Sequence, residues 1–441
     1  MQIQAYNQDL FQYIKSSPTA FHAIEAAGKY LDTEGFTRLS EHDTWDLQPN
    51  GKYYVTRNQS SLFAFRMPAD FSKKPFPFQL VASHSDSPCY KLKDNCEISV
   101  EGHYTKLNVE KYGGSLMAPW FDRPLSIAGR AIVKDEKGIS SRLVHFNRDL
   151  AMIVNLAIHM NRGVNDGYKY QAQTDMLPLI GSGEKDFSIK ELVANELGVS
   201  AEQILTTDLY LYNRMEGKVW GANEEFISSP KLDDLECAYA SIRAIAENAH
   251  PEVITGAVIF DSEEVGSHSQ QGACSTFMKD CLKRISHALG YTHEEYIQSI
   301  AKGFLLSADN GHALHPNHTG KSDPTNHPYL NGGVLVKYSA NQRYTSDGVT
   351  SGVFRLLCEQ NDIPVQVFFN HSDVLGGSTL GNLSMLQVSI PTVDIGVAIL
   401  GMHSPYETGG MKDGYALYQA MSAFYRTKIN CVGESAYELE M

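Results

Sequence analysis

The spacing of apolar residues changes along the chain. In "SPTAFHAIEAAGKYLDTEGF", residues 17–36, Phe21, Ile24 and Leu31 recur on one helical face. Thr19 stands where an N-cap is expected and Gly35 where a helix stops. The runs "KYYVTR", "SLFAFRM" and "FQLVASHSD" then predict strands. From about residue 93 apolar and polar positions alternate, with turn residues between the runs, in "CEISVEGHYTKLNVEKYGG" and "LSIAGRAIVKDE". That is the pattern of a half-exposed antiparallel sheet or barrel. "DLAMIVNLAIHMNR", residues 149–162, predicts a helix by its apolar density.

After residue 230 the period switches repeatedly between helix and strand. Helix "DDLECAYASIRAIAENA", strand "VITGAVIFD" and a helix near 272–289 lead into strands "FLLSAD" and "GGVLVKYSA". Helix "DGVTSGVFRLLCEQN", strand "PVQVFFNHS", helix "STLGNLSML", strand "TVDIGVAILG" and helix "MKDGYALYQAMSAFYRTK" complete the series. Such alternation predicts a mixed α/β sheet with helices on both faces. The mainly-β segment 93–219 reads as an insertion, so that 1–92 and 220–441 form one discontinuous layered domain.

Polar acids and histidines sit where the strand runs stop. His84 and Asp86 close "LVASHSD", Asp233 and Asp234 open a helix, and Glu263 and Glu264 follow "AVIFDS". Asp309 ends "FLLSAD", and His403 follows "VAILGM". Open α/β sheets bind ligands beyond the carboxyl ends of their strands, so one crevice can collect these groups. Histidine with carboxylate suits zinc, manganese or cobalt. Two adjacent metals need a shared acid and further ligands on each side. The charge of the metals would also offset the repulsion among the acids. On this reading Glu264 is a ligand and Glu263 a general base. Taken singly, each motif has a plainer meaning. A Glu-Glu pair is usually solvated surface, Asp233 suits a helix N-terminus, and His403 alone suits a core histidine.

Composition narrows the partners. The 441 residues carry a net charge of −14, which disfavours nucleic acid and anionic membranes. No apolar stretch reaches the roughly 20 residues that span a bilayer. The start "MQIQAYNQDLFQYIKSS" lacks a leader pattern, and the seven cysteines form no C-x-x-C pair. A cytoplasmic protein with reduced thiols is expected. Other motifs fail. "HEEYI" lacks the second His of a zinc helix, and "TGKS" has His315 where a phosphate loop needs Gly. "GGSTLG" is not a nucleophile elbow. His312, His315 and His318 recur every third residue, but Pro316 interrupts a continuous helix. His312 or His315 is therefore expected near substrate or behind a ligand before it is expected on a metal.

In this order the fragments "SPTAFHAI", "SHSDSP", "WFDRPLSIAGR", "KLDDLECAYA", "SEEVGS", "SADNGHALHPNH", "NGGVLVKYSANQRY" and "GMHSPYE" resemble the M18 metallo-aminopeptidases, the aspartyl aminopeptidases. The likeness runs over nearly the whole chain. It implies a layered α/β/α zinc-peptidase domain interrupted by a mainly-β dimerisation domain, with two divalent ions, zinc first and manganese or cobalt as alternatives. Carried over position by position, His84, Asp233, Glu264, Asp309 and His403 hold the metals, with Asp233 bridging. Asp86 orients His84, and Glu263 takes a proton from the metal-bound water. A histidine from a neighbouring subunit completes the site, and His159 in "LAIHMNR" matches it best. The resemblance further implies a large homo-oligomer, typically a dodecamer. The sequence departs from the family pattern at Asn310-Gly311, where Met-Ala is frequent, in "FFNHSDVLGGSTLG", and after His403 in "SPYETGG".

The function expected is removal of an N-terminal residue, Asp or Glu, from peptides with a free N-terminus. Lys337 is the candidate cation for an acidic side chain. Equally open from the sequence is a solvated lysine at a strand end. Two other functions stay open: a related two-metal carboxypeptidase or N-acyl amidohydrolase, and a non-catalytic self-assembling scaffold.

Overall fold

The apolar runs at 78–84, 254–260 and 304–308 lie side by side as parallel strands in which every residue is buried. They form the middle of a nine-stranded mixed sheet in the computed structural model, which describes residues 2–73, 75–183 and 187–440. Alternate residues of these strands feed two different cores. Val81, Ala257, Ile259 and Leu306 pack on one face with helices Gln2–Lys15, Ala20–Thr33, Leu232–Glu247, Gly348–Gln360 and Asp413–Arg426. Leu80, Ala82, Val258, Phe260 and Leu305 pack on the other with helices Phe277–Ala288 and His293–Ala301. A strand covered on both faces loses its polar alternation, which is why these runs read as continuously apolar. The layered α/β class expected from the sequence is the one observed.

Beyond Asp309 the chain continues into strand Gly311–His312, and beyond Gly396 into Ala398–Leu400. These two segments leave the large sheet together and pair again in a five-stranded sheet with Glu407–Gly410, Phe226–Ser229 and Lys218–Trp220. The run "TVDIGVAILG", read as one strand, is therefore broken at Val397.

The chain divides into two compact units: 1–86 with 217–402 and 407–441, and 87–216 with 403–406. The second unit is a six-stranded antiparallel sheet in the order 139–145, 125–134, 204–213, 89–100, 104–112, 179–182. Its own core contains Tyr90, Trp120, Ile127, Leu209 and Leu211.

One expected helix is absent. Residues 149–162 hold only a short 3-10 turn at Ile158–Met160 and isolated bridges from Ala151 to Leu125, Met152 to Leu179 and Ile153 to Phe121. The reason is period. Ala151 and Ile153 are buried, while Met152, Val154, Leu156, Ile158 and Met160 are exposed. Apolar density suggested a helix, but burial alternates over 151–154, as an extended chain requires, and 154–160 is exposed throughout, with no face buried at helical spacing. No described helix is long and apolar enough to cross a membrane.

Candidate metal centre

Strand Phe78–His84 ends on His84, which is 1% exposed. Its Nδ1 faces Asp86 O at 3.1 Å and Asp86 Oδ1 at 3.3 Å. Two oxygens on Nδ1 place the ring proton there and leave the Nε2 lone pair for a cation. Around Nε2 stand Asp233 Oδ1 at 3.6 Å, Asp309 Oδ1 at 3.8 Å and Asp234 Oδ2 at 4.0 Å. These distances are too long for hydrogen bonds. Metal–ligand bonds of about 2.0–2.2 Å in tetrahedral geometry put ligand atoms roughly 3.4 Å apart. The spacing is that of groups around a cation. His84, Asp233, Asp234 and Asp309 each offer one ligand atom within 4.8 Å of the others. Asp233 belongs also to a second such group, to which Glu264 contributes.

The backbone holds these acids in place. Asp233 and Asp234 precede the regular part of helix Leu232–Glu247, with non-helical dihedrals and a cis peptide between them. Asp233 N–H donates to Glu407 Oε2 at 3.0 Å, and His84 N–H donates to Asp234 Oδ2 at 3.0 Å. Glu263 and Glu264 do not lie on an extended strand end, as their sequence suggested. They open a 3-10 turn, Glu263–Val265, entered through Ser262 at φ 63°. The Asp86 carboxylate accepts from both of their main-chain N–H groups, at 3.1 Å each. Asp86 thus ties the imidazole and the two glutamates together.

The electrostatics show what the cluster lacks. Burial, with Asp309 and Asp233 nearby, pushes the Asp234 carboxyl well above its usual range, against the pull of His84. Burial and Asp233 do the same to Glu264. Burial together with Asp309, Asp86 and Asp233 pushes Glu263 up to about 8. Asp309 goes the other way: burial would raise it, but Lys337 and His84 hold it below the usual range. Asp234 Oδ1 is buried with no hydrogen-bond partner among the described residues. Burial opposes a charge on the His84 ring, but Asp234 and the other acids raise its pKa well above the usual range. A buried set of carboxylates that draws a proton onto its one imidazole fits a divalent cation in that proton's place.

The remaining expected residues have definite places. Lys337 is 1% exposed, which rules out the solvated lysine. Its Nζ donates to Asp309 O at 2.7 Å and Asn310 O at 3.3 Å, and lies 3.5 Å from Asp309 Oδ2. It also stands 5.3 Å from the centre of the Tyr344 ring. His403, half-buried at φ 65°, belongs to the second unit, where its Nδ1 lies 3.0 Å from Gly114 O. His159 is exposed in the 3-10 turn of the second unit. The His315 and His318 rings lie tilted to each other with centres 5.0 Å apart, and neither they nor His312 belong to a ligand-spaced group among the described residues. Sequence reasoning missed Asp234, Glu407 and the contact of Asp86 with the glutamate amides. A doubled Asp at the helix start was the one visible signal.

Residues 13–425 match the family model described as aminopeptidase I zinc metalloprotease (M18). The chain belongs to the M18 family. It is a metallo-aminopeptidase. A probable M18 family aminopeptidase 2 of Clostridium novyi (strain NT) is 40% identical over 426 residues, covering 95% of this chain and 98% of that one. Its namesake in Pseudomonas aeruginosa (strain UCBPP-PA14) is 41% identical over 425 residues, covering 95% and 97%. The cryo-EM structure of the Ape4 and Nbr1 complex contains a chain that superposes with a TM-score of 0.92 at 33% identity, covering 96% of this chain and 86% of that one. The mApe1 dodecamer of S. cerevisiae gives 0.83 at 25% identity, covering 96% and 97%.

Asp86→Ala leaves both glutamate amides without their acceptor and takes the carboxylate away from His84 Nδ1, which keeps only the main-chain carbonyl of residue 86. Metal affinity in this M18 chain should fall about 10–100-fold. Titrating chelator-stripped protein with zinc or cobalt checks this, and an unchanged affinity refutes the tethering role.

Proposed function

We propose that this M18 chain removes an N-terminal Asp or Glu from peptides with a free N-terminus, using two divalent ions, zinc first and manganese or cobalt as alternatives. The observation that carries the reading is the ring of Asp233, Asp234 and Asp309 around His84 Nε2, with Glu263 tethered alongside through Asp86. His84, Asp309 and Asp233 are proposed to hold one ion, and Glu264, His403 and the shared Asp233 the other. Bound ions of this kind lower the pKa of water to near neutral and polarise the scissile carbonyl. Glu263 accepts the proton of the attacking water at its carboxylate and returns it to the leaving amine. Asp86 keeps Glu263 in reach and His84 in the metal-binding tautomer.

His159 is proposed to enter the active site of a neighbouring subunit and stabilise the oxyanion. It lies in the exposed row Met152, Val154, Leu156, Ile158 and Met160. An apolar row of this length supports burial against another copy. On this reading the insertion 93–219 is a dimerisation domain within a homo-oligomer, a dodecamer like the one named for the S. cerevisiae relative.

The acidic preference rests on Lys337. Burial opposes its charge, but Asp309 keeps its pKa above the usual lysine range. Lys337 is already engaged by Asp309, so it is proposed to act on an acidic substrate side chain through the field of its buried charge rather than by direct contact.

Hydrolysis of a short Asp-peptide should vanish on chelation and return with zinc, manganese or cobalt. Glu263→Gln should keep its metal and lose kcat by on the order of 10²–10⁴. A Glu263→Gln enzyme that retains turnover removes the base. For His159→Ala the expected result is native assembly and metal content with kcat lower by about 10²–10³; unchanged kcat removes it from the reaction. Across Asp, Ala, Leu and Lys aminoacyl substrates, kcat/KM should be highest for Asp, and Lys337→Met should narrow the Asp-over-Ala ratio. Equal rates across the panel defeat acidic selectivity, and faster cleavage of N-blocked substrates defeats the exopeptidase reading.

A further inference from the structure

The two strands that cross from the large sheet to the small one do so next to Asp309, and one side chain spans the crossing. Asn310 is 3% exposed. Its Nδ2 donates to Leu232 O at 3.0 Å, one residue before Asp233. Its Oδ1 accepts from Val397 N–H at 3.3 Å, the residue at which the neighbouring strand breaks. The Cys237 thiol lies 3.4 Å from the same oxygen. Main-chain bonds bracket the crossing, from Asp309 N–H to Ile395 O at 3.1 Å and from Gly311 N–H to Val397 O at 2.9 Å. Val397 N–H lies between these rungs and is met by the Asn310 side chain.

The packing leaves this peptide little room to move. A Cβ at Gly396 would stand 1.9 Å from Asp309 O, so the adjacent strand lies directly against the Asp309 carbonyl. Lys337 Nζ binds that carbonyl from another side. Asp309 is fixed through its own backbone, whereas Asp233 sits on a segment with non-helical dihedrals and needs an external brace. Glu407 supplies one brace at Asp233 N–H. The Asn310 side chain supplies the other at Leu232 O.

We propose that Asn310 is a positioning residue for the metal centre, its carboxamide setting the separation of the Asp309 and Asp233 carboxylates by joining Leu232 O to Val397 N–H. This rests on the metal reading above and adds a residue that touches neither metal nor substrate. In this chain an apolar side chain there leaves a buried carbonyl and a buried N–H unpaired, and the Asp233 carboxylate is free to drift from His84 Nε2. The brace is therefore a feature of this chain and not of the family, in which Met is frequent at the position. Because a supporting group of this kind is worth about 10–100-fold in metal affinity, the effect is measurable without turnover.

The experiment uses the full-length assembled protein, stripped by chelation and titrated with cobalt while its visible absorption is recorded. The parent chain must bind cobalt; failure there overturns the metal reading itself, and the positioning role with it. Asn310→Leu is expected to bind about 10-fold or more weakly with an altered cobalt spectrum, and kcat should fall with little change in KM. Asn310→Ser only removes atoms and cannot span both partners, so it should show the same change if Asn310→Leu fails to assemble. Affinity within twofold of the parent, with an unchanged spectrum, in either assembled variant overturns the proposal. Failure of both variants to assemble also overturns it, because Asn310 then serves the fold rather than the metal centre.

Discussion

Carboxylates converging on one imidazole are the constraint that the site's architecture answers. At an effective dielectric near 20, two like charges about 4 Å apart repel by roughly 4 kcal/mol, and several such pairs meet here. The chain supplies little positive charge in return. Lys337 is committed to Asp309, and although burial opposes a charge on His84, Asp234 and the other acids around it raise its pKa well above the usual histidine range, so a single imidazolium is all the positive charge left to offset them. Main-chain N–H groups do part of the work, two on Asp86 and one on Asp234. They orient the acids without cancelling their charge. A divalent ion does both, which explains why such a cluster is preserved inside a folded chain rather than dispersed on its surface.

The sheet makes that convergence possible. Parallel strands 78–84, 254–260, 304–308 and 392–396 end on one side, so the residues just beyond them meet without long loops. Two of these strands then leave the sheet as a pair and form a second sheet with 407–410. Through that second sheet Glu407 reaches Asp233, and at its border Asn310 reaches Leu232. The small sheet is thus part of the support of the centre.

Much of this was legible in the sequence. His84, Asp309 and the two glutamates stand where apolar runs stop, and a run buried on both faces can stop on a polar residue only at a strand end. The helix expected to begin at Thr19 and stop before Gly35 was found at Ala20–Thr33, although the Thr19 hydroxyl meets His22 Nδ1 instead of capping a main-chain N–H. What was hidden depends on contacts distant in sequence. Asp86 meets amides 177 and 178 residues away, and Glu407 meets one 174 residues away. The place of Asp234 depends on non-helical backbone at 233 and 234, which no periodicity announces. At 149–162 apolar density outweighed period in the reading, and no face there is buried at helical spacing. Lys337 was open between two meanings because burial at a strand end is set by what packs over it.

The position of Glu263 bears on the role of base proposed for it. A carboxyl on a solvated turn titrates too low to accept a proton efficiently near neutral pH. Here burial and the neighbouring acids lift Glu263 to about 8. A divalent ion among Asp233, Asp234 and Asp309 acts in the opposite direction, since nearby positive charge favours the carboxylate. The two effects are of opposite sign and come from the same few side chains, so the basicity of Glu263 is set by their balance. Burial favours its protonated form and a bound ion its carboxylate. The tether from Asp86 to the Glu263 amide keeps the carboxylate where both effects reach it.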